Sequence, residues 1–170
     1  MGWRLSAHPP LSNRKHHRAV PGPLAGGFTL LELMLALVVV GTLATLASAS
    51  YVSYMEKARV TAAESDLGRI ESLIETYELA NNQLPTSLAQ IGVGALLDPW
   101  GHPYNYLDFT GLKGTGKMRK DRNLVPINSD YDLYSSGADG ATLPPLTAQP
   151  SQDDVVRANN GGFIGLATDY

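Results

Sequence analysis

The strongest constraint on this chain is a stretch that no water-soluble domain leaves uncovered. Residues 28–47 read FTLLELMLALVVVGTLATLA, in which 15 of 20 residues are apolar and only Glu32 is charged. As a helix rising about 1.5 Å per residue, the run spans roughly 30 Å, the hydrocarbon thickness of a bilayer. No further charge occurs before Glu56 and no proline before Pro85, so nothing halts the helix at a membrane edge. Beyond Tyr54 the apolar pattern thins to a stripe, Val60, Ala63, Leu67, Ile70, Ile74 and Tyr77, at alternating spacings of three and four. This is one helical face carried on in water, with Glu56, Lys57, Arg59, Glu64, Arg69, Glu71, Glu75 and Glu78 around the rest. Asn81-Asn82 followed by Pro85 supplies its stop. The pattern predicts a single helix of about 53 residues, roughly 80 Å long, apolar all round in its first half and amphipathic in its second. Gly41 and Gly68 are mild weak points within it.

Charge is divided unevenly around this helix. Residues 1–27 carry Arg4, Arg14, Lys15 and Arg18 and no acid, a local +4, while the remaining residues hold a net −7. The leading segment also contains Pro9, Pro10, Pro21 and Pro23 and ends in Gly26-Gly27, which predicts a disordered basic leader. Positive charge before an apolar span keeps that end cytoplasmic and exports the rest of the chain. Cysteine is absent, which excludes disulfide frameworks, zinc–cysteine sites and thiol nucleophiles. With 44% hydrophobic and 17% charged residues, wholesale disorder is excluded for the 170-residue chain. A net charge of −3 gives no global attraction to nucleic acid.

After Leu84 the pattern changes to short pieces. Thr86 or Ser87 caps a helical turn at Leu88-Ala89-Gln90-Ile91, and Asp98-Pro99-Trp100-Gly101 reads as a tight turn that drops an indole onto the helix. Tyr104-Asn105-Tyr106-Leu107 alternates as a half-buried strand does, Tyr131-Asp132-Leu133-Tyr134 reads as a second and Phe163-Ile164-Gly165-Leu166 as a last. Residues 110–123 predict an exposed basic hairpin tip, and 135–162 a loop too long to be filler unless something orders it. The fold class is therefore α+β, a long N-terminal helix packed on a small antiparallel sheet.

Three readings of the apolar run are open on its residues. A secretory signal peptide would use Ala47-Ser48-Ala49 as its cleavage site, but the run is long and Glu32 is costly in it. A plain membrane anchor fits the length and gives Glu32 no purpose. The third rests on Gly26-Gly27 followed by Phe28-Thr29-Leu30-Leu31-Glu32-Leu33, which resembles the leader junction of type IV pilins and type II secretion pseudopilins. The resemblance implies that a prepilin peptidase removes residues 1–27 by cutting between Gly27 and Phe28 and methylates the new amino terminus. It makes Glu32 the family glutamate, and residues 28–54 the transmembrane and polymerisation helix. Physically, the amine unmasked on Phe28 of a neighbouring, staggered copy supplies the cation that a carboxylate in lipid requires.

Further blocks carry the same resemblance in the same order. Asn81-Asn82-Gln83-Leu84-Pro85-Thr86, Asp98-Pro99-Trp100-Gly101-His102-Pro103-Tyr104 and Tyr131-Asp132-Leu133-Tyr134-Ser135-Ser136-Gly137-Ala138-Asp139-Gly140 look like the major pseudopilins of type II secretion. The resemblance then implies a pilin-like fold with residues 55–170 as a periplasmic head on a single-pass protein of the bacterial inner membrane. It implies assembly with copies of itself into a helical fibre that drives protein export. Minor pseudopilins, a prepilin peptidase, membrane lipid and an inner-membrane assembly platform are the implied partners. It also implies one structural Ca²⁺ in the C-terminal loop, with Asp139, Asp153 and Asp154 at the matching positions; solvated loop acids are the plainer reading. Two departures stand out: the stretch between these acids contains Pro144-Pro145 and Pro150 and is longer than usual, and Ala49 stands where most family members have proline.

No catalytic constellation is present in the sequence. Gly111–Lys117 has P-loop spacing, but Met118 stands where Ser or Thr is required. Lys113, Lys117, Arg119, Lys120 and Arg122 read as a solvated basic loop, and no nucleic-acid partner is expected. His102 is the only histidine after the leader, which argues against a His-based triad or zinc site and for a turn residue. A type IV pilus or competence subunit, or an exported soluble protein released by signal peptidase, are the alternative functions.

Overall fold

The computed structural model describes residues 26–170, with the backbone alone at 47–50. The leader expected at 1–27 lies, up to residue 25, outside the described residues. The long helix, α1, runs Leu30–Asn81 without interruption and includes Ala49. Its two parts belong to separate compact units, one ending at Ala44 and the other beginning at Thr45.

In the first unit α1 begins on a cap. Thr29 Oγ1 accepts the backbone N–H of Glu32 at 3.2 Å, and the Thr29 carbonyl accepts that of Leu33 at 3.1 Å. Thr-x-x-Glu at a helix start is the capping-box signature, and a carboxylate in the first turn also complements the helix dipole. The apolar side chains beyond this cap stand open, from Leu30 and Leu31 at 77% and 78% exposure to Val39 at 48%.

In the second unit α1 carries the core. Ala63, Leu67, Ile70 and Ile74 of the predicted stripe are fully buried. They pack against Leu88, Tyr104, Tyr131, Leu133 and Val155, with Val60 partly buried at the edge. Burying a Leu or Ile side chain is worth about 1.5–3 kcal/mol, so this stripe holds the helix to the sheet more than any helix propensity does. The helix ends where the paired asparagines predict. Asn82 takes a left-handed φ of 53°, and its N–H returns to the Glu78 carbonyl at 2.7 Å.

The sheet has four antiparallel strands in the order β1 (Asn105–Asp108), β2 (Tyr131–Ser135), β3 (Val155–Ala158) and β4 (Phe163–Leu166). The α+β reading therefore holds, with two corrections. The expected loop at 135–162 contains a strand, β3, all four residues of which are buried. Val155 joins the helix-side core and Val156 a second cluster with Ile127, Leu146, Ala158 and Ala167, so the strand is covered on both faces. A strand buried on both faces shows no alternation, and Val155-Val156-Arg157-Ala158 is too short to stand out from its surroundings. The basic tip at 110–123 is also less exposed than expected, because Met118 and Arg119 are buried.

One polar cluster joins β3 to the helix. Arg157 Nε donates to Glu71 Oε1 at 2.6 Å and its NH2 to Asp130 Oδ2 at 2.8 Å, while its guanidinium lies 4.0 Å over the Tyr131 ring. A charge buried to 4% exposure is tolerated because two carboxylates and a ring face it.

Candidate functional site

Two places bear the sequence expectations: the start of α1 and the C-terminal loop. At the first, Gly27, Phe28 and Glu32 are all exposed. An exposed junction suits a protease, and the exposed apolar helix behind it must be covered by lipid or by other protein. The helix is long and apolar enough to cross a membrane. Glu32 is the only charged side chain on it before Glu56. Thr29 is the residue that sequence reasoning missed here. Its signal was the Thr-x-x-Glu spacing with Glu32, of which the backbone half is made.

The turn at Asp98-Pro99-Trp100-Gly101 does what its residues predict. Asp98 Oδ1 accepts the backbone N–H groups of Trp100 and His102 at 3.1 and 2.8 Å, and Gly101 takes a φ of 96° to close the turn. The indole then reaches α1, where Trp100 Nε1 donates to Glu56 Oε1 at 3.0 Å. Asp98 Oδ2 accepts the Ser135 hydroxyl at 2.5 Å, and His102 Nδ1 lies 3.1 Å from the Gly137 carbonyl. The serine thus bonds to the aspartate and not to the histidine, and the group acts as a brace between turn and loop.

The C-terminal loop distributes its three acids differently from one another. Asp139 is exposed, Asp153 half-buried and Asp154 fully buried. Asp139 Oδ1 accepts the Ala141 N–H at 2.8 Å. Asp153 Oδ2 folds back over the glycine turn to accept the N–H groups of Ala138 and Asp139 at 2.8 and 3.1 Å. Asp154 Oδ2 accepts from Arg119 NH2 at 2.5 Å and from the Thr142 hydroxyl at 2.7 Å. Burial pushes the Asp154 carboxyl up from its ordinary range, and the Arg119 charge opposes that rise.

No group of three or more His, Cys, Asp or Glu among the described residues is arranged to hold a metal. The three acids are not gathered as free carboxylates: Asp154 faces a guanidinium, while the other two cap backbone N–H groups. Arg119 is the residue misread in the sequence, where it looked like one cation among five.

Gly137 is required by this packing. Its φ is 64°, and a Cβ there would collide with the Asp153 backbone carbonyl. Gly137→Ala is expected to lower stability by about 1–3 kcal/mol, since neither backbone can give way cheaply. Gly116→Ala, with nothing within 4 Å of its added methyl, is the control. Equal melting temperatures for the two variants in detergent would remove the constraint.

Comparison with known proteins supplies the family. The chain is 33% identical over 137 residues to the type II secretion system core protein G of Pseudomonas aeruginosa, a match spanning 67% of this chain and 84% of that one. It is 33% identical over 136 residues to the core protein G of Klebsiella pneumoniae, covering 76% of this chain and 91% of the relative. With that of Dickeya chrysanthemi it shares 32% over 139 residues, covering 79% and 87%. No protein-family model and no solved structure matches the chain. The long capped helix, the four-stranded antiparallel sheet and these relatives agree, and the chain belongs to the core protein G family of type II secretion systems, the major pseudopilins.

Proposed function

We propose that this chain is the repeating subunit of a periplasmic pseudopilus that drives protein export through a type II secretion system. A prepilin peptidase removes residues 1–27 by cutting between Gly27 and Phe28. Residues 28–54 hold the subunit in the inner membrane and then become the polymerisation helix, and residues 55–170 form the head on the periplasmic side. The observation that carries this reading is the apolar start of α1, exposed along its length and bearing one carboxylate four residues after Phe28. A surface of this kind serves a subunit that passes from lipid into a bundle of its own copies. The role is mechanical, and its partners are copies of this chain, minor pseudopilins and an inner-membrane assembly platform. The polar groups of the turn and loop act in folding the head, since each bonds to backbone or to another structural side chain.

Two measurements on one strain test the proposal. In cells lacking their own core protein G, this chain restores appearance of secreted protein in the medium, and mass spectrometry finds a mature form beginning at methylated Phe28. A mature form beginning at Ser50, or secretion that stays absent although the chain is processed and membrane-bound, overturns it.

A further inference from the structure

The second face of the sheet is covered by a segment that has little of its own to hold it. Tyr134, Val156 and Ala158 present apolar surface on that side, and Leu146 is the aliphatic plug that the 141–152 stretch lays over it. Around Leu146 the stretch is rich in proline and polar residues. What grips it is Arg119, itself 2% exposed. Its NH1 donates to the Thr142 hydroxyl at 2.5 Å and to the Leu143 carbonyl at 2.8 Å, and its NH2 to Asp154 Oδ2 at 2.5 Å. The guanidinium lies 4.4 Å over the Tyr134 ring. Its own backbone is pinned from below, the N–H donating to Asp132 Oδ2 at 2.6 Å. The next residue continues the seam, with Lys120 N–H to the Pro144 carbonyl at 3.0 Å and Leu146 N–H to the Lys120 carbonyl at 2.9 Å. Ser151 Oγ closes the far side by donating to the Leu143 carbonyl at 2.8 Å.

A hydroxyl, a backbone carbonyl and a carboxylate gathered on one positive centre form a ligand set of the kind a hard cation collects. Here the positive centre is covalent. We infer that the Arg119 guanidinium takes the place of a structural metal ion in this chain, pinning residues 142–154 over the outer face of the sheet so that the loop is ordered without Ca²⁺. A planar fork offers several N–H donors at fixed angles and meets the three acceptors without the six to eight oxygens Ca²⁺ demands. The contact with Asp154 is single-pronged: Asp154 Oδ1 and Arg119 Nε are buried and have no partner among the described residues. A dication at Asp154 would therefore sit beside a fixed positive charge, and the two compete for one carboxylate. The inference concerns how the head is held together and stands whether or not the chain works in secretion.

The test uses the mature full-length chain in detergent, with Ca²⁺ itself as the probe. The melting temperature is expected to differ by less than about 2 °C between excess EGTA and millimolar CaCl₂, and the elastase resistance of residues 141–152, which hold Ala141 and Ala148 but no Lys or Arg, to be equal in both. Arg119→Gln is expected to raise the cleavage rate within 141–152 by about tenfold or more in EGTA, the loss of charge-assisted hydrogen bonds. Thr142→Val, which removes one ligand and keeps the charge, gives a smaller rise in the same segment and covers the case in which Arg119→Gln does not fold. A melting temperature that falls by more than about 5 °C on chelation of the unmodified chain makes Ca²⁺ the organiser and overturns the inference. So does unchanged resistance of 141–152 in EGTA when both variants fold.

Discussion

Replacing Glu32 by Ala is expected to leave the chain cut at Gly27 and inserted in the membrane while reducing fibre formation at least about tenfold, the loss of one charge pair in a medium of low dielectric. The argument turns on what the carboxylate does before and after assembly. In lipid it costs the single subunit up to about 3 kcal/mol at depth, less where it snorkels to the interface. On the proposed reading the amine of a neighbouring Phe28 would offset that cost, so the charge would both loosen the subunit from lipid and reward its docking. Alanine removes both effects. The variant subunit sits more comfortably in the bilayer and gains less by leaving it. Because the Glu32 backbone N–H also bonds to the Thr29 cap, a second variant separates the cap from the charge. Thr29→Val loses the cap, a change of about 1 kcal/mol in helix stability, and keeps the charge. It is expected to assemble nearly as the unmodified chain does. Sheared-fibre yield and cross-linking between copies, read beside the mature mass, decide the matter. A Glu32→Ala chain that yields normal fibre removes the charge pair from the account.

The parts of this fold that were legible from sequence are those whose pattern is enforced by one-sided burial. Ala63, Leu67, Ile70 and Ile74 repeat because one face of α1 meets a sheet and the other meets water, and β1, β2 and β4 carried enough aromatic or branched residues to be seen. Strand β3 was not legible, because both of its faces are covered and its one charge, Arg157, finds Glu71 and Asp130 far away in sequence. Arg119 failed for a related reason. In a run of Lys and Arg nothing local distinguishes the cation that folds inward, and its partners Thr142, Leu143 and Asp154 lie 23 to 35 residues on. Asp139, Asp153 and Asp154 lie on the loop, and which of them faces inward depends on the pleat. Val155 points to the helix, so Asp154 points to the other face, where Arg119 waits.

Alkali is expected to unfold the head sharply above about pH 11, while mild acid leaves it intact. Burial raises the phenols of Tyr104 and Tyr131 well above their ordinary value near 10. For Tyr104 the hydrogen bond to Asp66 at 2.9 Å adds to the rise; for Tyr131 the neighbouring Arg157 charge opposes it. Since folding favours the neutral phenol, this contribution is complete below pH 10 and is lost as the unfolded chain becomes able to ionise. Each of the two costs about 1.4 kcal/mol per pH unit beyond that point, together nearly 3, against a total stability of roughly 5–15 kcal/mol for a domain. On the acid side the sign differs in its consequence. Burial also raises the carboxyls of Asp132 and Asp154, so protonating them as pH falls relieves a cost instead of adding one. From Phe28 onward Trp100 is the only tryptophan, and its bond to Glu56 on α1 makes its fluorescence in a chain starting there a reporter of head unfolding. Fluorescence and tyrosinate absorbance are therefore expected to change together above pH 11. Tyr131→Phe tests the cause with little cost of its own, because the Tyr131 hydroxyl is buried with no partner among the described residues. That variant should hold its fold to higher pH by removing one of the buried ionisations, Tyr106 and Tyr134 being raised by burial as well. Tyrosines that all titrate near pH 10 with Trp100 undisturbed would show that burial does not govern these phenols.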